Sequence, residues 1–466
     1  MSPIAHAIFS HVVSIVGFGM AIVLVADVLR SRRPAGSAMA WMLAIVLAPY
    51  LGVPLYLALG GRKMSRDARK KQPLYDVGAP VVAPRSDIER MLIGVGGPPA
   101  RDGNQVRLLD SGEAAFHELI AIIDGARTSL ELSTLILAGD EVGQAVIERL
   151  AARAQAGVQV RVLVDALFRL RSTGGRLATL TRAGGRLAWF MPVVHIPFRG
   201  HANLRLHRKM VIADGHTALV GGMNIAREYM GPVPYPGRWR DLSASLVGPA
   251  VADVAAIFES DWQFATGRRA AAGGPGEAHR PTTPSEAAGA ATVQAVGSGP
   301  DVVSDRIYDA LLTAVFAARH RLWIATPYFI PDEALAKAFV LAARRGVDVR
   351  ILVPARSNHR IADFAGASYL RDVSEAGGKV FCYVPGMMHA KVAVIDDNLG
   401  VLGSANVDMR SFFLDYEIAL LFTSAAEVQG LAAWFDATLA QTQGLGPAKR
   451  SRRLVEDVTW VMGPLI

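Results

Sequence analysis

Two short stretches hold the residues best suited to do chemistry. His207-Arg208-Lys209-Met210-Val211-Ile212-Ala213-Asp214 and His389-Ala390-Lys391-Val392-Ala393-Val394-Ile395-Asp396 both read H-x-K-x4-D. Each is followed, at the same spacing, by a glycine turn ending in asparagine: Gly221-Gly222-Met223-Asn224 and Gly403-Ser404-Ala405-Asn406. One such motif is a weak signal. Two with identical downstream spacing, one in each half of the chain, are a strong one. A lone histidine on an apolar strand is usually structural, and a lone asparagine after Gly-Gly is usually a turn former. The duplication overrides both of those bland readings. In a strand, residues two apart share a face. His207 and Lys209 should therefore point the same way, as should His389 and Lys391, while Met210, Ile212, Val392 and Val394 pack into a core.

Two copies related by a pseudo-twofold axis would gather two histidines, two lysines and two asparagines in one pocket. Lys209, Asn224, Lys391 and Asn406 suit the charge of a tetrahedral phosphodiester and its transition state. No metal and no cofactor is required. One imidazole, neutral, would attack phosphorus and form a phosphohistidine. The other, protonated, would give its proton to the leaving alkoxide and later deprotonate the incoming hydroxyl. Each ring needs a partner on its second nitrogen to set its tautomer. Asp241, in Arg238-Trp239-Arg240-Asp241, and Glu417, in Asp415-Tyr416-Glu417, are the candidates. Asp214 and Asp396 complete the motif set of His207, Lys209, His389 and Lys391. Standing at strand ends, they are expected to anchor the motif rather than touch substrate. His195, His201 and His359 are read as ordinary histidines.

The elements that must position these groups alternate between strand and helix. Leu130–Leu137 is strand-like, Glu141–Ala156 has helical spacing and stops at Gly157, and Val158–Val164 is the next strand. The second half repeats the order with Leu322–Phe329, a helix from Glu333 to Arg345, and Val347–Val353. Gly377-Gly378 matches Gly184-Gly185. The chain is an internal duplication, and the alternation predicts a mostly parallel sheet flanked by helices in each copy. Before the first motif lies Trp189–Phe198, an apolar stretch without a counterpart, read either as ordinary loop packing or as an acyl-chain guide at a membrane face. The boundaries that follow are 1–63, 64–105 (a basic segment and aperiodic linker), 106–265 (first repeat), 266–292 (an Ala/Gly/Pro connector) and 293–466 (second repeat with the basic tail Lys449-Arg450-Ser451-Arg452-Arg453).

Composition narrows the setting. Of 466 residues, 51% are hydrophobic and only 19% charged, which leans towards a membrane protein, and the net charge of +8 suits an anionic partner. The single cysteine, Cys382, excludes an internal disulfide and any cysteine-built metal site. It lies in the apolar run Lys379–Val384 and is read as a buried strand thiol. Residues 4–26 and 38–60 are uncharged enough and of the length to span a bilayer as a hairpin. Pro49, Gly52 and Pro54 could kink the second segment or make it re-enter. Arg30, Arg32 and Arg33 lie in the connecting loop, and Arg62, Lys63, Arg66, Arg69, Lys70 and Lys71 follow the second segment. The heavier cluster places the N-terminus and the catalytic region in the cytoplasm. The same cluster would attract anionic lipid.

The motifs resemble those of the phospholipase D superfamily, and the chain as a whole is similar to the bacterial cardiolipin synthases within it. The likeness covers both halves and the N-terminal segments. It is carried by Ser31-Arg32-Arg33-Pro34 through Ala40-Trp41 to Tyr56-Leu57-Ala58-Leu59-Gly60, by Asn203–Lys209, by Thr326-Pro327-Tyr328-Phe329-Ile330-Pro331-Asp332, and by Asn406-Val407-Asp408-Met409-Arg410-Ser411-Phe412. It implies two tandem phospholipase D-like repeats behind a transmembrane hairpin in the bacterial inner membrane. It also implies transfer of a phosphatidyl group from one phosphatidylglycerol to another, giving cardiolipin and glycerol, with His207 as nucleophile and His389 as acid and base. Gly222 stands where many members carry serine, as Ser404 does in the second copy. The motifs alone do not separate this reaction from hydrolysis to phosphatidic acid. A nucleic-acid phosphodiesterase would share the pocket, but the hairpin and the lack of a basic–aromatic stripe argue against a nucleic-acid partner. A non-enzymatic membrane scaffold would not need all six pocket residues. Oligomeric state is not readable, since both half-sites lie in one chain.

Overall fold

The computed structural model describes residues 3–30, 35–60, 83–169, 176–191, 203–267, 286–302 and 304–447, with 453, 456 and 459. Most of the connector 266–292, the basic cluster after residue 60 and nearly all of the basic tail lie outside the described residues. The strands are β1 (Arg101–Leu109), β2 (Ser129–Thr134), β3 (Gln159–Asp165), β4 (Arg186–Phe190), β5 (Met210–Ala213), β6 (Thr217–Gly221), β7 (Ser243–Val247), β8 (Ala291–Ser298) and β9 (Arg321–Ala325). They continue with β10 (Phe329–Ile330), β11 (Asp348–Pro354), β12 (Lys379–Tyr383), β13 (Val392–Ile395), β14 (Leu399–Gly403), β15 (Val407–Asp408), β16 (Glu417–Phe422) and β17 (Thr442–Gly444).

The two repeats share one sheet. Its order is β17-β12-β11-β9-β13-β14-β16-β8-β1-β7-β6-β5-β2-β3-β4. The same topology runs outward in both directions from the antiparallel β8–β1 pair, with β17 added at one edge. An antiparallel junction between equivalent strands is what a pseudo-twofold axis requires.

Each half reads from its sequence as mostly parallel, but the sheet is mixed. Only β2-β3-β4 and β9-β11-β12 are parallel. The pairs through β5, β6, β7 and β1, and through β13, β14, β16 and β8, are antiparallel. The reason lies in the connections. Helices Glu141–Gln155 and Leu177–Arg182 supply long crossovers, whereas β5 joins β6 through Asp214-Gly215-His216 alone, too short for anything but a hairpin.

Strand alternation builds three apolar cores. Met210 and Ile212 of β5 and Val392 and Val394 of β13 enter one cluster that runs across both repeats and takes in helices Val251–Thr266 and Ala425–Leu439. Val211 and Ala213 face a second core under the outer helices of the first repeat, and Ala393 and Ile395 face its counterpart in the second. Cys382 is buried in β12.

Four local readings are corrected. The strand read as Leu130–Leu137 stops at Thr134, and that read as Leu322–Phe329 breaks after Ala325. In both, a threonine hydroxyl captures the carbonyl two residues on, Thr134 to Ile136 at 3.0 Å and Thr326 to Tyr328 at 2.8 Å, and turns the chain out of the ladder. The segment read as an aperiodic linker up to Asn104 contains helix Asp87–Gly94 and the start of β1. Its signal was present as the capping-box sequence Ser86-Asp87-Ile88-Glu89; Ser86 accepts from the Glu89 amide at 3.1 Å, and Glu89 reaches past the N-cap to accept from the Arg85 amide at 2.7 Å. In the Trp189–Phe198 stretch, Phe190 is a fully buried core residue of β4 packed edge-on to Tyr416, not part of a loop, and residues 192–202 lie outside the described residues.

At the N-terminus, helix Pro3–Arg30 is followed by Ala35–Leu47 and Pro49–Leu59. The second apolar stretch is broken at Ala48, which is not helical, with Pro49 opening the next helix. The two short helices pack closely: a Cβ on Gly52 would lie 2.1 Å from the Ala44 carbonyl oxygen. Trp41 meets Tyr56 edge to face at 5.2 Å, and Tyr56 donates to Asp27 at 2.6 Å. Side chains of the first helix are described only at residue 15 and over 17–30, and among the described residues no helix is long and apolar enough to cross a membrane.

Candidate active site

Register fixes where the histidines sit. β5 runs antiparallel to β2, pairing Ser133 with Met210, so the residues before Met210 lie at the C-terminal edge of the parallel strands. β13 pairs Val392 with Ala325 and does the same in the second repeat. His207 and His389 then leave the ladder and are caught by short bridges to the opposite repeat. The His207 amide donates to the Tyr416 carbonyl at 2.9 Å, and the Tyr416 amide to the Arg205 carbonyl at 2.8 Å. The His389 amide donates to the Arg240 carbonyl at 2.7 Å, and the Arg240 amide to the Met387 carbonyl at 2.8 Å. Tyr416 precedes Glu417 and Arg240 precedes Asp241. The backbone pairing therefore delivers each carboxylate to the histidine of the other repeat.

The side chains follow. His207 Nδ1 lies 2.8 Å from Glu417 Oε1, and His389 Nδ1 lies 2.7 Å from Asp241 Oδ2. An ionised carboxylate only accepts, which puts a proton on each Nδ1 and leaves Nε2 for chemistry. Burial lowers His207 to about 4, Lys209 and Lys391 adding to the fall against the pull of Glu417. Burial, then the Lys391 charge, lowers His389 to about 3. Both rings are neutral at pH 7. Against the upward push of burial, the histidines and lysines hold Asp241 and Glu417 below the ordinary carboxylate range. The lysines are buried too, which brings Lys209 down to about 7 and Lys391 to about 8. Lys209 responds to Glu417 and Asp241 together, and each histidine responds to both lysines. The two motifs form one electrostatic site.

Asn224 and Asn406 are buried on the turns that follow β6 and β14. Asn224 Oδ1 accepts from the Ile136 amide at 3.3 Å, whereas Asn224 Nδ2 and Asn406 Oδ1 have no hydrogen-bond partner among the described residues. The fold leaves part of each amide unused. Asp214 and Asp396 sit at the far ends of β5 and β13, with φ of 53° and 47°. Asp214 accepts from the amides of Arg127, Thr128 and Ser129, and Asp396 from those of Arg319, His320 and Arg321, which ties each motif strand to the start of its neighbour.

The sequence reading noted Gly222 and Ser404 without their contacts, and it gave Arg208, Tyr229 and Trp239 no role. Ser404 donates to Glu417 Oε2 and fixes that carboxylate. In the first repeat, a Cβ at Gly222 would stand 2.5 Å from Asp241 Oδ1, so the shorter carboxylate occupies the space a side chain would take. Arg208, between the motif histidine and lysine, donates to the Glu417 carbonyl at 3.0 Å and the Ser298 carbonyl at 3.0 Å and pairs with buried Asp261. Tyr229 and Trp239 pack on His389 with ring centroids at 5.0 Å and 5.3 Å. Aligning the halves at Asp241 and Glu417 sets Trp239 opposite Asp415, and this comparison of the repeats could have found it. Asp415 is buried, which raises it to about 8 despite Arg410 at 3.2 Å.

Comparison with known proteins agrees with this geometry. A family profile described as the PLD-like domain of cardiolipin synthase matches residues 119–262 and 311–439, and a phospholipase D–nuclease N-terminal profile matches residues 19–61. Cardiolipin synthase of Geobacillus kaustophilus is 31% identical, covering 94% of this chain and 90% of that protein. Cardiolipin synthase A of Pseudomonas entomophila is 34% identical, covering 84% of each. Among solved structures, phosphatidylserine synthase of Haemophilus influenzae superposes with a TM-score of 0.59 at 16% identity, over 82% of this chain and 98% of that one, a likeness of fold.

Proposed function

This chain belongs to the phospholipase D-like cardiolipin synthase family, and on that premise we propose how its residues carry the reaction. It is a phospholipase D-type phosphatidyltransferase. We assign phosphatidylglycerol as the lipid on both sides of the transfer. The observation that carries the two-histidine transfer is the pair of imidazoles, each with Nδ1 held by a carboxylate of the other repeat, and the choice of lipid rests on the cardiolipin synthase relatives.

The phosphodiester enters between Lys209 and Lys391, and the amide N–H donors of Asn224 and Asn406 turn to its oxygens. Its negative charge offsets the lysine charges that depress the imidazoles, so a proton is taken up on His389 as substrate binds. His207 Nε2 attacks phosphorus, the bond to glycerol breaks, and His389 passes its proton to the glycerol oxygen. A hydroxyl of the second phosphatidylglycerol then gives its proton to His389 and attacks phosphorus, and the bond to His207 breaks. Lys391 Nζ lies against the His389 ring, 2.9 Å from Nδ1 and 3.1 Å from Nε2, and its charge holds down the ring's proton affinity until the phosphodiester arrives. The reverse assignment of the two histidines would use the same contacts.

Residues 1–63 form the membrane anchor in this reading, a hairpin whose second arm bends at Ala48 and Pro49. It holds the repeats, 106–265 and 293–466, at the cytoplasmic face of the bacterial inner membrane, with 64–105 and 266–292 as connections. The test is to incubate purified protein with phosphatidylglycerol in mixed micelles and separate the lipids. Cardiolipin with released glycerol is expected; phosphatidic acid without cardiolipin would replace transfer with hydrolysis.

A further inference from the structure

We propose that the edge of the sheet bearing the two histidines carries an apolar rim that seats the catalytic body on an anionic bilayer. The inference rests on the phosphatidyl-transfer reading for its choice of partner, and on the placement of exposed side chains for everything else. Among the described residues outside the N-terminal helices, the large hydrophobic residues left exposed are few, and most share one edge. Leu167, Val233, Tyr235, Ile361 and Val384 are each between 42% and 63% exposed.

Topology puts all five at the same end. Leu167 lies two residues beyond β3, whose last residue, Asp165, accepts from the Leu206 amide at 2.7 Å beside His207. Val384 directly follows β12, parallel to β11 and β9, and so lies at the His389 edge. Ile361 opens helix Arg360–Glu375 after β11, on that edge too. Val233 and Tyr235 lie on the loop between Tyr229 and Trp239, the two rings packed on His389. The rim thus draws on loops of both repeats around one mouth. Two exceptions, Phe316 and Leu341, fall elsewhere: Phe316 ends the helix leading into the opposite end of β9, and Leu341 lies within helix Glu333–Arg344.

Charge selects the occupant. Arg169, Arg356 and Arg360 stand exposed on the same loops, and the chain carries a net +8. Isolated exposed hydrophobics need no explanation, but a ring of them mixed with arginine around a buried site fits an interface of apolar tails under anionic headgroups. It would let a two-tailed lipid bring its phosphate to the histidines without leaving the bilayer.

The test uses the full chain in phosphatidylglycerol vesicles. Single cysteines replace Val233, Ile361 or Val384, with Phe316 and Leu341 as controls, each carrying an environment-sensitive fluorophore; Cys382 is buried. Lipids brominated on the acyl chain should quench the three rim positions about twofold or more and spare the controls. Absence of quenching at the rim, or equal quenching at Phe316, overturns the proposal. The combined Val233→Ser, Ile361→Ser, Val384→Ser variant should lose about tenfold on bilayer phosphatidylglycerol while keeping its rate on a short-chain monomeric phosphatidylglycerol. An equal loss on both substrates also overturns it. Quenching without any cardiolipin formation would keep the rim and reject the transfer reading, and cardiolipin formation without quenching would do the reverse.

Discussion

The two half-sites are built on one backbone plan and finished with different side chains. Around His207 the carboxylate is the longer Glu417, steadied by the Ser404 hydroxyl and by Arg208 on its backbone carbonyl. Around His389 the carboxylate is the shorter Asp241, drawn into the gap beside Gly222, and the ring is walled by Tyr229 and Trp239. Ala390 stands where the first motif has Arg208, and Ser404 where it has Gly222. Both solutions bring a carboxylate within 2.8 Å of Nδ1. The lesson is that duplication preserved the proton-holding contact and let the surroundings diverge. An attacking ring and a proton-transferring ring need different surroundings.

The largest expected effect would leave the two halves equal. His207→Ala and His389→Ala should each lower turnover by about 10,000-fold or more with melting behaviour retained, because the two rings act as one unit. Substantial activity in either variant would break the two-histidine reading. Arg208→Ala should separate the halves by stability: it leaves Asp261 buried without its guanidinium, at a cost of roughly 3–5 kcal/mol in denaturant unfolding. Ala390 gives the second motif no equivalent liability.

Changes at the carboxylate supports should sharpen the contrast. Gly222→Ala drives a methyl group into Asp241 and is expected to reduce turnover by about 100-fold, within the range of general acid–base catalysis. Ser404→Ala removes one hydrogen bond from Glu417 and should cost about tenfold. Equal effects would mean that the two carboxylates are held alike. The smallest effect is in the pH profile of kcat/KM. In the proposed mechanism Lys209, at about 7, and Lys391, at about 8, would bind phosphate in their charged forms, so the rate should fall as pH rises through that interval. The lysines are coupled, and the step belongs to the pair. A profile flat to pH 9 would remove their depressed proton affinity from the argument.

Much of the site was legible because repetition is visible in a linear string. The matching spacing of His207, Lys209 and Asn224 with His389, Lys391 and Asn406 identified the pocket, and the only carboxylates offered as imidazole partners, Asp241 and Glu417, are the ones that the fold brings to the rings. The fold was legible where its signal is local, in helix Glu141–Gln155 and in the apolar β3 and β11. It was misread where a single hydroxyl or a short turn decides. Thr134 and Thr326 cut their strands short, and the hairpin at Asp214 makes an antiparallel pair of what alternation suggests is parallel.

The sequence by itself determined the repeat, the six polar residues proposed for the pocket, the chemistry they suit and the apolar character of the N-terminal segments. Only the tertiary structure decided which carboxylate serves which histidine. That choice crosses between the repeats, because β8 meets β1 at the centre of one sheet and the bridges Leu206–Tyr416 and Arg240–Met388 reach from each half to the other. It also decided that Gly222 and Ser404 are supports of two different kinds. Spacing along a chain fixes what one strand can present on one face. Which strand arrives opposite depends on pairings between residues far apart in sequence, set by the packing of the whole sheet.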